Sequence, residues 1–236
     1  EANLINGGFL NRVKNGKPNI NIKIASSTDG KTALRDGKSK WITNDLSRKY
    51  GHRLRSTHDA ILVGINTVLS DDPMLNCRLI GLQNRSPCRI ILDTTLRIPE
   101  DSKIVKTAEE INTIIFTSLN ANKNKIKKLE HLNVNVLKVS QLEDSYLNVD
   151  EILLEIGKVG FNNLLIEGGH TIITSFLSSE NVKLIYWFSS DKIIGGDGLS
   201  SIGNLNLQNI KEGPNLKLIE TINLNNNSLK TYEVLK

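Results

Sequence analysis

Hydrophobic positions in this chain fall into short runs, and the spacing inside a run changes from one segment to the next. From Asn19 the chain alternates: Ile20, Ile22 and Ile24 share one side, and Asn21, Lys23 and Ala25 share the other. That period of two is a strand with distinct faces. Thr43-Asn44-Asp45 supplies helix-start chemistry, after which Leu46, Tyr50 and Leu54 recur every four residues on one helical face. Ala60–Gly64, reading AILVG, is apolar throughout and suits a strand buried on both sides. Residues 89–93 (RIILD) and 113–117 (TIIFT) share that character, and residues 134–139 predict a further strand. Asn148 with Glu151 predicts a capped helix carrying Ile152, Leu153, Ile156 and Val159. Residues 164–166 predict a strand running into Glu167-Gly168-Gly169. A helix follows from Thr171, with Ile172, Ile173, Phe176 and Leu177. Residues 184–188, 216–222 and 229–234 predict three more strands, the last two joined at Asn225-Asn226-Asn227.

Strands alternating with helices imply an α/β domain with a mainly parallel sheet flanked by helices. The terminal strand pair with its short connection implies an antiparallel C-terminal edge. Residues 1–17 mix Gly and Asn without a sustained period and read as a linker or arm, leaving residues 18–236 as one domain. The chain opens on Glu1 and not Met, which reads as a piece of a longer polypeptide.

Composition narrows the function. The chain is 39% hydrophobic and 23% charged over 236 residues, ordinary globular usage that needs no disulfide or metal staple. Cys77 and Cys88 lie in different segments without metal-ligand spacing, and read as inert thiols in a reducing, cytoplasmic compartment. The formal charge of +5 comes from 30 basic and 25 acidic residues spread along the chain. Such a small, dispersed excess argues against nucleic-acid binding and suits an anionic small molecule. No apolar run reaches the roughly 20 residues of a membrane span.

Candidate chemistry sits mainly where strands end. Glu167-Gly168-Gly169-His170-Thr171 closes a buried strand and opens a helix. Its glycines permit close backbone approach, and a helix N-terminus offers free N–H groups to a phosphate. By itself this is also an ordinary tight turn, but Glu167 stands where open α/β sheets bind ligands. Lys23, followed by Ser26-Ser27-Thr28-Asp29-Gly30, is either a solvated strand lysine or a ligand-facing one. Arg53 and Arg55 suit a helix C-terminus. Arg78, with another arginine, could grip an anion. Asp71-Asp72-Pro73 reads first as a turn. His52, His58, His131 and His170 form no metal pattern, and no GxSxG elbow is present.

Four blocks in order carry a resemblance: NINIKIASSTDGKTALRDGKSKW from Asn19, LRSTHDAILVGINTVLSDDPMLNCR from Leu54, RIILDTTLRIP from Arg89 and LLIEGGHTIITSFL from Leu164. Over roughly residues 1–200 the chain closely resembles the reductase domain of the bifunctional riboflavin-biosynthesis deaminase/reductases. The resemblance implies a dihydrofolate-reductase-like fold. It implies reduction of 5-amino-6-(5-phosphoribosylamino)uracil to its ribitylamino counterpart with NADPH. It also implies a homo-oligomer and a zinc deaminase domain upstream, whose own signature is absent from this sequence. By motif position it assigns Ser39, Arg55, Leu75, Arg78 and Glu167 to the substrate, Ser39 and the arginines to its phosphate. It assigns Ala25, Trp41, Thr67, Asp71, Thr94 and the run Gly169, His170, Thr171, Ile172, Ile173, Thr174 and Ser175 to the nucleotide. Lys23 and Glu167 are the expected catalytic side chains. Thr94, Thr95 and Arg97 form a loop suited to a ribose phosphate, hence the expectation of NADPH over NADH. The sequence departs from the family at Thr28, where Leu is usual, and near Asp191, where a Pro is usual. A dihydrofolate reductase proper would need an acidic residue on an early helix and no phosphate clamp. A non-catalytic binding or oligomerisation module would bind nucleotide without turnover.

Overall fold

The computed structural model describes residues 2–39, 41–142, 146–178 and 181–235. In chain order the elements are α1 (Ala2–Asn15), β1 (Asn19–Ser26), β2 (Lys31–Ala33), α2 (Asp45–Ser56), β3 (Ala60–Gly64), α3 (Ile65–Asp71), β4 (Cys88–Leu92), α4 (Lys103–Lys106) and β5 (Thr113–Ser118). They continue as α5 (Lys123–His131), β6 (Asn135–Val139), α6 (Val149–Val159), β7 (Asn163–Ile166), α7 (His170–Leu177), β8 (Val182–Ser190), β9 (Leu199–Ser200), β10 (Asn215–Asn223) and β11 (Asn227–Leu235). The predicted elements all form, with ends displaced by a residue or two.

Among the described residues, nine strands make one sheet in the order β10-β11-β8-β1-β7-β3-β4-β5-β6. Every pairing from β8 to β6 is parallel. β11 runs antiparallel to β8, and β10 antiparallel to β11. The mainly parallel sheet with an antiparallel C-terminal edge is therefore the fold observed. β2 and β9 form a separate antiparallel ribbon.

Strand alternation divides the core between the two faces of this sheet. Ala60 and Leu62 of β3 join Ile20, Ile22 and Ile24 of β1 beneath α6 and α7. Ile61 and Val63 face the other way, with Ile91, Ile115 and the apolar side of α5. A third cluster, Phe188, Leu224 and Leu229, receives Leu46, Tyr50 and Leu54 of α2. That contact covers the side of β1 opposite its isoleucines.

Three local details differ from expectation. The segment read as a linker or arm is helical, forming α1. Its Gly7, Gly8 and repeated Asn lower helix propensity, so the sequence hides it. Tertiary contacts hold it instead: Arg12 Nε donates to Asn162 Oδ1 at 2.8 Å, and Asn11 Nδ2 donates to the carbonyls of Lys17 and Pro18. Gly8 is needed there, since a Cβ would lie 2.6 Å from the Asn162 carbonyl oxygen. At α6, Asn148 caps the helix by accepting from the N–H groups of Asp150 and Glu151. Glu151 does not complete a reciprocal box, because its carboxylate accepts from Ser140 N and Oγ at 2.7 and 2.6 Å. Val159, expected on the buried face, is 47% exposed.

Candidate active site

β1 and β7 are parallel neighbours with Ile22 opposite Ile166. Lys23 and Glu167, each the next residue, therefore emerge at the same height. α2 crosses this point from the side, and His58 fixes its end. The His58 Nδ1–H donates to the Leu54 carbonyl at 2.6 Å, and its Nε2 accepts from Asn21 Nδ2 of β1 at 2.8 Å. So seated, α2 delivers Arg55 onto Glu167 in a two-pronged pair, Nε to Oε1 at 2.8 Å and Nη2 to Oε2 at 2.9 Å. Arg55 Nη1 donates to the Asn76 carbonyl, so each guanidinium nitrogen is engaged. Lys23 Nζ lies 4.0 Å from Glu167 Oε2 and 5.8 Å from the centre of the Phe188 ring.

The three charges set one another's protonation. Burial alone would raise the Glu167 carboxyl, but the Arg55 charge and hydrogen bonds, reinforced by Lys23, bring it down to about 2. Burial also opposes the Arg55 charge, and Glu167 overcomes it and raises the guanidinium. For Lys23 burial prevails and lowers the ammonium's pKa, with Glu167 opposing and Arg55 assisting. The result is a fixed carboxylate beside an ammonium that gives up its proton more readily than a free lysine.

Lys23, Glu167, Ser39, Arg55 and Arg78 line one cleft of about 330 Å³, joined by Ala25, Trp41 and Asp71 from the expected nucleotide set. Arg78 is exposed, its Nη1 donating only to Asn76 Oδ1 at 3.1 Å. Arg48 caps the exposed Trp41 ring from 4.3 Å. Leu75 is not in the cleft. Its side chain is 3% exposed in the core and its φ is 50°, so only its backbone is free to meet a substrate.

The remaining nucleotide set is gathered elsewhere. His170, Thr171, Thr174 and Ser175 line a second cavity of about 770 Å³, closed by Leu142, by residues 146–150 and by Gly203, Asn204 and Asn206. Thr67 sits on α3 and Thr94 just beyond β4, and neither lines the two cavities. Ile173 is core, and Ile172 packs where Cβ atoms on Gly64 or Gly168 would come within 2.9 or 2.8 Å of it. The Ile173 N–H is spent on the Gly169 carbonyl at 3.2 Å, which leaves the Ile172 N–H in the first turn as the group this pair can offer.

The Gly turn fits a dinucleotide. Gly169 caps α7 with no side chain on the helix's free N–H groups, the first turn holds no acidic residue, and the space about Gly169 is open for at least 4 Å. An anion is stabilised at such a terminus by free donors and the helix dipole together. Asp93, wholly buried, accepts from Arg97 N and Ile98 N and shapes the loop that presents Arg97, whose Nη2 donates to Asn66 Oδ1 at 2.8 Å. Thr28, the departure from the resembled pattern, donates from Oγ1 to the Ser190 carbonyl and so ties the turn after β1 to the end of β8.

Several cleft residues were not singled out from sequence: Thr32, Ser47, Arg48, His52 and Phe188. One signal was available. Arg48, His52 and Arg55 recur at helical spacing on α2, off the Leu46–Tyr50–Leu54 stripe, and form a polar stripe facing the cleft. Among the described residues no helix is long and apolar enough to cross a membrane. No cluster of His, Cys, Asp and Glu among them could hold a metal ion.

Comparison with known proteins agrees with this fold. The family described as "RibD C-terminal domain" matches residues 18–229. The riboflavin biosynthesis protein RibD of Aquifex aeolicus is 37% identical over 224 residues, 95% of this chain and 60% of that protein. The solved structure of Acinetobacter baumannii RibD superposes with a TM-score of 0.86 at 26% identity, over 100% of this chain and 63% of that one. A Thermotoga maritima diaminohydroxyphosphoribosylaminopyrimidine deaminase/5-amino-6-(5-phosphoribosylamino)uracil reductase gives 0.76 at 28% identity, over 97% of this chain and 60% of that one. Dihydrofolate reductase of Enterococcus faecalis, at 14% identity and a TM-score of 0.53 over 94% of this chain and 98% of that one, shares the fold alone. The chain spans about three fifths of the length of the curated RibD relatives it matches.

Proposed function

The chain belongs to the RibD C-terminal domain family, and on that footing we propose that it reduces 5-amino-6-(5-phosphoribosylamino)uracil to the ribitylamino compound with NADPH. The observation that carries the reading is the Lys23–Glu167–Arg55 cluster in the buried wall of a cleft whose rim bears the exposed cation Arg78. The cleft is small, polar and cationic on one side, which suits a sugar phosphate with a planar base. NADPH, when bound, supplies the hydride, and the helix start at Gly169 and the loop at Arg97 would hold its phosphates.

The protein's own part is protonation and charge placement. The ribosylamine ring opens when its C1′–O bond breaks. The ring oxygen takes a proton from the Lys23 ammonium, and the amine nitrogen's electron pair forms a protonated C=N bond. The ionised Glu167, held in place by Arg55, stabilises that cation. Reduction at C1′ returns the electron pair to nitrogen as a neutral amine, and solvent reprotonates Lys23. Arg78, with Ser39, binds the phosphate. Arg55 reaches it only through the network, since its guanidinium is committed to Glu167. Placement in the cytoplasm, self-association and an upstream zinc deaminase unit belong to the same proposal; the greater length of the relatives supports the further unit.

The test is single-turnover oxidation of NADPH, followed by nicotinamide absorbance, with the ribosylamino substrate and with dihydrofolate. Turnover of the first alone supports the reading. Turnover of dihydrofolate, or nucleotide binding without turnover of either, refutes it. Arg78→Ala should weaken substrate binding by about 1.5–3 kcal/mol and leave NADPH affinity unchanged.

A further inference from the structure

His52 is a titratable side chain in the cleft to which the proposed chemistry gives no task. It lies one turn before Arg55 on α2 and is half-buried in the cleft wall. Its Nδ1–H donates to the Asn76 carbonyl at 3.1 Å, leaving Nε2 as the basic nitrogen; the Arg78 N–H, 3.3 Å from Nδ1, is accepted only in the other tautomer. The ring is thus built into the loop that carries Arg78, and Nε2 has no protein partner among the described hydrogen bonds. The groups that act on it come from each neighbouring element: Arg55 from α2 itself, Arg78 from the loop after α3, and Glu167 from the end of β7, with Lys23 of β1 behind Glu167. Burial lowers the imidazole's pKa, the two arginines lower it further, and the Asn76 carbonyl and Glu167 only partly offset them. In the free protein His52 is a neutral ring between two cations.

We propose that His52 is a third, proton-linked ligand of the substrate's phosphate: it binds a proton as the phosphate binds and donates Nε2–H to it. This rests on the reading that the cleft takes a sugar phosphate at Arg78. The physical argument is the exchange of neighbours. A phosphate dianion brought to Arg78 replaces net repulsion of the imidazolium by attraction, and a hydrogen bond between two ions is roughly twice as strong as a neutral one. The sign follows. A group whose pKa is low in the free protein and raised in the complex favours binding below its free-state pKa. That advantage is lost as pH rises through the pKa of the complex. Affinity for phosphorylated ligands therefore falls from mildly acidic to mildly alkaline pH, by a step that belongs to His52.

The probe is ribose 5-phosphate, titrated calorimetrically into the NADPH-loaded protein in two buffers of different ionisation enthalpy, at about pH 6.5, about pH 7.5 and about pH 8.5. Wild type should take up protons on binding at an intermediate pH. His52→Gln, which keeps a hydrogen-bonding side chain but cannot titrate, should take up none. Its affinity should be about tenfold lower than wild type at the acid end, converging at the alkaline end. NADPH affinity and melting temperature report that the variant folds. Nuclear magnetic resonance of the wild-type His52 ring, with and without ribose 5-phosphate, measures the upward pKa shift directly and does not depend on the variant. Binding that needs Arg78 but shows neither proton uptake nor a His52 shift overturns the proposal and leaves the phosphate reading standing. Failure of ribose 5-phosphate to bind at all overturns both.

Discussion

At the scale of single residues, Glu167 carries two duties that substitution separates. Its carboxylate neutralises a buried guanidinium, and it faces the reacting carbon in the proposed chemistry. Glu167→Gln leaves Arg55 charged and buried without a counter-ion, which costs on the order of 3–5 kcal/mol. Hydride transfer should fall roughly a hundred- to a thousand-fold with both ligands saturating. The pKa depression to about 2 fixes the pH behaviour. A carboxylate lowered by folding stabilises above its unfolded pKa, and that contribution is lost as pH falls from about 4.5 to about 2. The stability gap between wild type and Glu167→Gln should therefore close on acidification through that window, and a gap constant with pH would show the charge to be irrelevant. Lys23→Met should slow single-turnover hydride transfer while leaving both ligands bound. Wild-type rates in it and in Glu167→Gln would leave the chemistry to bound geometry alone. Arg97 tests cofactor choice. Its guanidinium, steadied by Asn66, stands beyond the Thr94 loop, so Arg97→Ala should lower the ratio of kcat/KM for NADPH over NADH by about tenfold. An unchanged ratio clears it of the role.

At the scale of elements, the turn from β7 into α7 shows why its glycines differ. A Cβ on Gly168 would meet Ile172 Cβ at 2.8 Å and push the helix off the strand end, whereas a Cβ on Gly169 would meet nothing within 4 Å. Gly169 has φ of −64°, which any residue adopts. Gly168→Ala should cost about 1–3 kcal/mol by overpacking and weaken NADPH binding through the displaced helix. Gly169→Ala should leave the melting temperature unchanged, so a fall in its NADPH affinity in fluorescence titration reports close approach of the ligand itself. Equal melting losses in both variants would contradict this division. Elements whose periodicity comes from their own core contacts were legible in sequence: β1 through its isoleucines, β3 through AILVG, α2 through its four-residue stripe and Asn44 cap. α1 was not, because docking onto Asn162 and Pro18 holds it and its own composition does not. Nor was the β2–β9 ribbon, whose strands of three and two residues carry no period.

At the scale of the whole molecule, the site exists because strands distant in sequence are neighbours in the sheet. Local pattern marks the strands and their kind, but the order β8-β1-β7-β3 arises from crossovers that leave no mark on it. That order alone brings Lys23 to Glu167 across 144 residues. Arg89 is the clearest case of a role invisible in sequence. It stands at the head of RIILD, where local pattern gives it no task, yet it is wholly buried. Its guanidinium donates to Thr113 Oγ1 and Thr107 Oγ1 and to the carbonyls of Ile104, Thr107 and Ile111. A longer bond at 3.4 Å reaches the Met74 carbonyl, four residues before Arg78. Burial brings its pKa down to about 10, which leaves it charged at neutral pH. The side chain thus fastens β4 to the 104–113 segment and touches the chain that leads to the cleft rim, without lining the cleft. Replacing it by Met fills similar volume but strands several buried oxygens, each costing about 1–3 kcal/mol when left without a donor. Arg89→Met should lower the melting temperature by roughly 10 °C, from about 3–5 kcal/mol at 2–4 °C each for a chain of this size. Well below that temperature kcat should be kept, since no reacting group loses a partner. A melting temperature within about 2 °C of wild type would mean that water or rearranged backbone satisfies those oxygens and that the knot is dispensable. A large loss of kcat in folded protein would mean that the Met74 contact sets the position of Arg78.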